Sequence, residues 1–319
     1  MKPDMKARLM GTFLLVVAIG SAVRTVVRAD AQAASPLDPG TITVIDVPGA
    51  ANNSPLDINA EGVIVGRYAS GGRTHGFMRS TAGEITTIDV PESVFTAATS
   101  INERGDIVGQ FALPAAPNDR HGFLLKDGEF TSFDPPGSHF TNALGINDRG
   151  DIVGRYCTVA VCTMPGTGAF HAFVLRDGEF TLFDLPGAAE TDAFGINSRG
   201  LIAGGFLNGQ KQEQIFVLGN DGVATFAPAG GQPVSLDKGS INERGDVVGA
   251  YCSGAAPCLT TLTSPLHGFV MRDGVFSSFD VPGARATAAT GINARGDIVG
   301  TYSDGTRFHG FLIGGGGNR

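Results

Sequence analysis

A short motif returns along the whole chain and limits what it can fold into: an Ile-Asn dipeptide, two variable residues, a Gly and then an apolar run. The motif asparagines are Asn59, Asn102, Asn147, Asn197, Asn242 and Asn293. Their spacings of 43 to 51 residues lie in the range expected of propeller blades. The spacing therefore predicts a tandem β array, and it says more about architecture than about chemistry.

Residues 143–186 show how one unit is built. Residues 143–146 and 151–156 predict two strands, joined by a turn in which Asn147 takes the first position and Gly150 the left-handed conformation. Residues 171–176 and 179–184 predict two more strands, joined by an Asp-Gly hairpin. Four antiparallel strands in such a length are typical of one propeller blade.

The two ends of the array complement each other. The last unit stops at Ile313 with three strands, whereas residues 41–48 match a fourth strand that no unit precedes. Pairing them would remove the exposed edges of an open array. The sequence therefore predicts an all-β fold: a six-bladed β-propeller of four-stranded antiparallel blades, closed by the N-terminal strand pairing with the C-terminal blade. The predicted divisions are a signal peptide (1–31, boundary uncertain), a linker (32–40), one propeller domain (41–313) and a Gly-rich tail (314–319).

The first residues predict export. A basic start precedes an apolar stretch from Leu9 to Val23 and an Ala-Asp-Ala that a signal peptidase would accept. An uncleaved membrane anchor is the alternative, but the stretch is short for a bilayer. The chain carries a net charge of -8, and residues 1–31 contribute five Lys and Arg against two Asp, so the chain without them would carry -11. This charge disfavours nucleic acid and anionic lipid. We predict a monomer with no membrane span after signal cleavage.

A recurring His–Asp register follows from the hairpins, because a turn of known length fixes which residues face each other across the third and fourth strands. The predicted pairs are His75–Asp89, His121–Asp134, His171–Asp184, His267–Asp280 and, across the ring closure, His309–Asp46. The unit without a His places Gln214 opposite Ala227. Pairs repeated on outer strands lie too far apart to share an ion, and no nucleophile recurs beside them. We therefore interpret them as structural hydrogen bonds.

Arg-Gly-Asp occurs at 104–106, 149–151, 244–246 and 295–297, which in an exported protein suggests cell adhesion. All four copies fall at the same hairpin, where Gly serves the turn and Asp opens the next strand. Folding alone explains this recurrence, so we favour a structural role.

The cysteines occur as two local pairs in the loops between the second and third strands of two units. Because a whole unit separates the two loops, a shared zinc site is geometrically poor. Export into an oxidising compartment favours the disulfides Cys157–Cys162 and Cys252–Cys258.

Polar residues near one mouth of the predicted channel are candidates for a ligand site. The loops at this end carry most of the length variation, and loops on a rigid scaffold are where binding usually resides. The candidate ligand-binding residues are Asp192 and Asp237 on neighbouring units, with Asn142, Glu190, Lys238 and His139 nearby. The alternative is that they are solvated loop residues. The chain has no Trp, no nucleophile elbow and no metal-ligand spacing, so we predict no catalytic residue, metal or cofactor.

Two strings recur in order: Gly-Ile-Asn-x-Arg-Gly-Asp-Ile-Val-Gly, and His-Ala-Phe-Val-Leu-Arg-Asp-Gly (171–178) with His-Gly-Phe at 75, 121, 267 and 309. They resemble the HAF-type extracellular repeat of bacterial exported proteins. The resemblance implies export and a β-repeat fold, and it brings no established activity. We predict an exported, non-enzymatic module that binds a protein, glycan or small ligand through its variable-loop face. The alternatives are a propeller-type glycan hydrolase or lyase with a carboxylate site, and a purely structural envelope protein.

Overall fold

A computed structural model describes residues 41–159, 162, 170–227, 239–253 and 266–314. The predicted signal peptide, the linker, and the predicted site residues Asp237, Lys238 and Cys258 lie outside the described residues. Every regular element in the described part is a β-strand. No helix in this part is long and apolar enough to cross a bilayer.

Three groups of four consecutive strands each form a separate antiparallel sheet, in chain order from one edge to the other. The first contains β10 (Phe140–Ile146), β11 (Ile152–Cys157), β12 (His171–Arg176) and β13 (Glu179–Phe183). The second contains β14 (Glu190–Ile196), β15 (Ile202–Leu207), β16 (Glu213–Gly219) and β17 (Gly222–Phe226). The third contains β18 (Ser240–Ile241), β19 (Val247–Cys252), β20 (Leu266–Arg272) and β21 (Val275–Phe279).

The fourth four-stranded sheet joins the two ends of the described chain. Its strands are β22 (Ala286–Ile292), β23 (Ile298–Ser303), β24 (Phe308–Ile313) and the N-terminal β1 (Ile42–Ile45). Strand β1 pairs antiparallel with β24, with Ile42 opposite Ile313 and Ile45 opposite Gly310. The predicted pairing of the N-terminal strand with the last unit is confirmed.

The remaining eight strands form one sheet, which corrects the expectation of six separate four-stranded sheets. It contains β2 (Asn52–Ile58), β3 (Ile64–Ser70), β4 (Arg73–Arg79), β5 (Ile85–Ile88), β6 (Phe95–Ile101), β7 (Ile107–Ala112), β8 (His121–Lys126) and β9 (Glu129–Phe133). A single parallel pairing, Thr74 with Phe95, joins β4 to β6 and merges the first two units. Strand spacing within a unit did not reveal this pairing because it links two different units.

The first strands of the units form the inner wall of a ring. Each of β2, β6, β10, β14 and β18 lies beside the next, and β22 lies beside β2. The apolar side chains of successive sheets pack in clusters between these strands and the neighbouring sheets. This ring of antiparallel sheets, closed by its own N-terminal strand, is an all-β propeller.

The Ile-Val-Gly and His-Gly-Phe strings build each sheet through one cross-strand contact. The Gly of the second strand faces the Phe of the third, as Gly154 faces Phe173 and Gly300 faces Phe311. Both phenylalanines are fully buried. A Cβ on Gly154 would meet the carbonyl oxygen of Asn142 at 2.1 Å and the ring of Phe173 at 2.8 Å. The Phe ring therefore occupies the space that the missing side chain leaves.

The predicted turns are present. In the Asp-Gly hairpin both residues are left-handed, with φ of 51° at Asp177 and 80° at Gly178, which suits the twist of a two-residue hairpin. In the first turn of the same unit the Gly150 amide donates to the Asn147 carbonyl oxygen at 3.0 Å. The first strand extends further than predicted: β10 starts at Phe140 rather than at residue 143.

Candidate functional site

The motif asparagines connect the units at one end of the channel, which we name the Asn-turn end. Each side-chain amide donates to the backbone carbonyl oxygen of the next motif Asn, at 3.0 to 3.5 Å, and Asn293 donates back to Asn59. The same side chain accepts from its own turn, as Asn147 Oδ1 does from the amides of Arg149 and Asp151. This circuit was not foreseen from the sequence. The strict recurrence of Asn was its signal, because Asp or Ser would serve the turn but neither offers an amide donor.

The Asn-turn end also contains a small polar cavity of about 50 Å³, lined by residues from all the inner strands. Its carboxylates already bind neighbouring units: both Glu103 oxygens accept from the Ala60 amide, and Asp148 accepts from the Glu103 amide. Asp57 accepts from the Ser100 hydroxyl at 2.6 Å and from two backbone amides. The carboxylates at this end therefore hold the ring together.

The Arg-Gly-Asp strings are engaged within the fold. Arg149 donates to Asp151 of its own string through Nε and through a second nitrogen at 2.7 Å. Arg176 of the third strand donates to the same carboxylate. The Asp151 carboxylate is buried, so it is not displayed for an adhesion receptor.

The structure brings every predicted His–Asp pair together. The distance from His Nδ1 to the nearest carboxylate oxygen is 2.7 to 2.9 Å in all five pairs, including His309 with Asp46 across the closure. The hydrogen bonds to Asp134 and Asp184 raise the pKa of His121 and His171 respectively. Within the described residues no group of three or more His, Cys, Asp and Glu side chains is placed to hold a metal ion.

One predicted disulfide is present between Cys157 and Cys162. Cys252 is also disulfide-bonded, while its predicted partner Cys258 lies outside the described residues. The first cross-link lies at the end of the channel where the inner strands begin, because Cys157 pairs with Phe140, the first residue of β10. We name this end, opposite the Asn-turn end, the strand-start end.

A buried polar cluster lies towards the strand-start end, between neighbouring units. Asn142 of β10 faces Arg155 of β11 across the sheet, and an Arg155 terminal nitrogen lies 3.5 Å from Asp192 Oδ2 on β14 of the next unit. Gln110 occupies the position in β7 that is equivalent to Arg155 in β11. Strand β7 lies beside β10 of the next unit, just as β11 lies beside β14. These four residues, Gln110, Asn142, Arg155 and Asp192, are the interblade cluster.

The interblade cluster is enclosed and incompletely satisfied. Its members are 0 to 7% exposed. Buried atoms without a hydrogen-bond partner are Gln110 Oε1, Asn142 Oδ1, Arg155 Nε and Asp192 Oδ1. A buried polar atom left without a partner costs about 1 to 3 kcal/mol, so such a concentration in one place marks a site that water or a ligand completes.

Electrostatics single out Asp192 in this cluster. Burial raises the pKa of Asp192 to about 8, and the charge of Glu190 and a hydrogen bond with Glu190 add to the effect, while Arg155 opposes it. Asp192 therefore holds a proton at neutral pH. The Arg155 guanidinium lies 4.8 Å from the centre of the Phe170 ring, which supports it by a cation–π contact.

The predicted site residues lie in different places in the structure. Asn142, Glu190 and Asp192 are buried strand residues, so the alternative of solvated loop residues is wrong for them. They belong to first strands that begin earlier than expected, and Asp192 contacts Arg155 of the neighbouring unit. His139 is exposed in the loop before β10. Asp237 and Lys238 lie outside the described residues.

Sequence reasoning missed Arg155 and Gln110, although a signal for both was present. Both residues directly follow the Gly of the second strand in their units. The other units have Arg67, Gly205, Ala250 and Thr301 at this position. Large polar side chains directly after a Gly that recurs in every unit were the signal.

We expect the two buried aspartates to make stability depend on pH. Burial raises the pKa of Asp57 to about 6 and that of Asp192 to about 8, against about 3.9 in an unfolded chain. The folded chain thus binds these protons more tightly. Their stabilising contribution is fully present below about pH 4 and is lost as the pH rises through 6 for Asp57 and through 8 for Asp192.

Urea unfolding at several pH values measures this effect. For Asp57, a shift of about two units corresponds to about 3 kcal/mol, so wild type should lose about that much stability relative to Asp57→Asn between pH 4 and pH 8. Asp192→Asn should show the same trend, extending to higher pH. Asp221→Asn, at an exposed turn, is the control. Parallel curves for wild type and both buried variants would contradict the expectation.

No protein-family model matches the chain, and no curated protein is significantly similar to it. Several solved structures are similar in fold. A luciferin-regenerating enzyme has 10% identity and a TM-score of 0.52, covering 87% of this chain and 96% of that one. The β-propeller domain of the Trilobed protease from Pyrococcus furiosus has 14% identity and a TM-score of 0.49, covering 82% and 78%. An Aleuria aurantia lectin has 10% identity and a TM-score of 0.49, covering 85% and 93%. At such identities the first likeness indicates the fold alone.

Proposed function

We propose that this protein is an exported, non-enzymatic binding module that holds its ligand at the strand-start end of the channel, through the interblade cluster. The observation that carries the proposal is the set of four buried polar atoms without partners, on equivalent positions of adjacent units. The position shared by Gln110 and Arg155 holds Gly205, Ala250 and Thr301 in the last three units, so a large polar side chain there is not required by the fold. Completing their hydrogen bonds is what a ligand would contribute.

Export is part of the proposal. The apolar segment after a basic start, the local disulfide between Cys157 and Cys162, and the resemblance to the HAF-type exported repeat all favour an oxidising compartment outside the cytoplasm.

We also propose that the ring has six blades, with the eight-stranded sheet counting as two. Only one pairing, Thr74 with Phe95, merges β2–β5 with β6–β9. Supporting this, the inner strands of all the units lie side by side in a closed ring, and the asparagine amides link the same units in the same order.

A thermal-shift screen of the purified protein against glycans, peptides and divalent cations tests the binding role. A ligand that binds only the folded state adds about 2.7 kcal/mol at 100 times its dissociation constant. We expect a hit that Asn142→Leu removes and Glu103→Gln, at the Asn-turn end, retains. A hit that Glu103→Gln removes and Asn142→Leu retains would move the site to the other end of the channel. A flat screen would favour a structural envelope role.

A hydrolase or lyase is the second candidate, because Asp192 keeps its proton at neutral pH and such a carboxyl group can act as a general acid. Incubating the ligand found in the screen with wild type and Asp192→Asn separates the two functions. Turnover that Asp192→Asn abolishes would replace the binding role with an enzymatic one.

A further inference from the structure

We propose that the ligand of the interblade cluster is uncharged and rich in hydroxyl groups, with a neutral sugar as its simplest form. This inference rests on the proposed binding function and names the chemical class that the site accepts. It stands on two independent properties of the described residues: the charge balance of the cluster and the donors and acceptors that it leaves open.

Together with Glu190, which is buried on the same strand as Asp192, the interblade cluster is electrically balanced without a ligand. Arg155 carries a positive charge, Glu190 a negative charge that acts on Asp192, and Asp192 a proton at neutral pH. A net charge brought by a ligand would be buried without a counter-charge, which costs far more than burying a hydrogen-bonded neutral group. His171 on β12 is a further titratable group near this region: its hydrogen bond to Asp184 raises its pKa, and the charge of Glu190 adds to the effect.

The buried atoms without a hydrogen-bond partner further restrict the chemical class of ligand that the cluster can bind. Two open atoms are amide acceptors, on Gln110 and Asn142, and one is a donor, Arg155 Nε. The fourth is an oxygen of the protonated Asp192 carboxyl group, which can accept or donate. A carboxylate would only accept and would leave the amide oxygens of Gln110 and Asn142 open. An ammonium group or metal ion would leave Arg155 Nε open and place a second positive charge beside Arg155.

A hydroxyl group both donates and accepts, so several hydroxyl groups satisfy the whole set. This holds for either orientation of the Gln110 and Asn142 amides, because a hydroxyl accepts from the nitrogen as readily as it donates to the oxygen. The members are almost fully enclosed, so the ligand inserts a narrow group, such as the hydroxyl-bearing end of a glycan.

Matched sugars that differ only in charge test the class directly. We would titrate the purified protein by calorimetry at pH 7 with glucose and galactose, then with glucosamine, galactosamine, glucuronate, galacturonate and calcium chloride. We expect at least one neutral sugar to bind, and its amino and uronate counterparts to bind at least tenfold more weakly. Tighter binding of an amino sugar, a uronate or calcium would overturn the class.

Two variants show whether a negative result excludes the uncharged ligand class or excludes the interblade cluster as the binding site. Asp192→Asn keeps a neutral group of the same shape, so a neutral sugar should still bind at pH 7 within about threefold of wild type. For a cationic ligand the same variant would abolish binding. Asn142→Leu should weaken any ligand of this site at least tenfold.

The outcomes are then distinct. A charged probe that binds and is lost in Asn142→Leu leaves the proposed site standing and rejects the class. A neutral sugar that binds equally to wild type and Asn142→Leu rejects the site. No binding by any of these probes rejects the class, and only a thermal-shift screen that is also flat for peptides and larger glycans rejects the site.

Discussion

Gly154→Ala should destabilise the propeller by at least about 3 kcal/mol. The added Cβ would lie 2.1 Å from the Asn142 carbonyl oxygen and 2.8 Å from the Phe173 ring. The Phe173 ring can turn aside if the core adjusts, but the carbonyl oxygen belongs to the β10–β11 ladder and moves only if the strands separate. Overpacking typically costs 1 to 3 kcal/mol when side chains adjust, so a backbone clash should reach or exceed the upper end.

Urea unfolding of wild type, Gly154→Ala and Gly209→Ala measures this cost. Gly209 is the matched control, because it is exposed and its nearest neighbour to an added Cβ is a carbonyl oxygen at an ordinary 3.7 Å. We expect Gly209→Ala to stay within about 0.5 kcal/mol of wild type. The double variant Gly154→Ala/Phe173→Leu should not recover, because the carbonyl clash remains. Recovery would mean that the destabilisation comes from the contact of the added Cβ with the Phe173 ring and not from its contact with the Asn142 carbonyl oxygen.

The parts of the fold that follow from residues close in sequence were predictable. Asn147 with Gly150, and Asp177 with Gly178, specify their turns through backbone preferences that need no distant partner. The hairpin length then fixed which residues face each other, so His171 opposite Asp184 followed by counting. The pairing of β1 with β24 was predictable because the last unit has only three strands, while the N-terminal strand belongs to no preceding unit.

Contacts between units were not predictable in the same way. The Asn147 amide reaches the Asn197 carbonyl oxygen, and Arg155 reaches Asp192, across a distance set by how closely two sheets pack. A repeat aligns equivalent residues, but it does not state which position of one unit touches which position of the next. The same reason explains why the Thr74–Phe95 pairing was missed and why Asp192 was assigned to a loop.

The contacts between units differ at the two ends of the channel, and so do the roles that we assign to these ends. At the Asn-turn end the asparagine links repeat from unit to unit, and Asp57, Glu103 and Asp148 also accept hydrogen bonds from neighbouring units. At the strand-start end the residues differ between units and leave polar atoms open. Variation in a repeat protein is tolerated where the ring does not depend on it, so the strand-start end is where a ligand can be accommodated.

Ile45→Asp should open the ring at its closure and cost about 4 kcal/mol or more. Ile45 is 2% exposed and packs with Ile58, Phe77 and Val299, which come from both sides of the junction. The change removes a core side chain, at about 2 to 5 kcal/mol for such truncations, and buries a charge without a partner. Strand β1 should then leave β24, whose amides lose their partners.

Hydrogen exchange of the amides of residues 310–313, with urea unfolding of the same samples, checks this expectation. Val44→Asp is the control on the same strand, because Val44 is 53% exposed and the change adds the same charge without burying it. We expect Val44→Asp to keep the slow exchange of β24 and most of the stability, and Ile45→Asp to lose both. If the two variants behaved alike, the circuit of asparagine amides would be holding the ring closed without β1. Combining Ile45→Asp with Asn293→Ala, which removes the amide that donates to Asn59, would then unfold the protein.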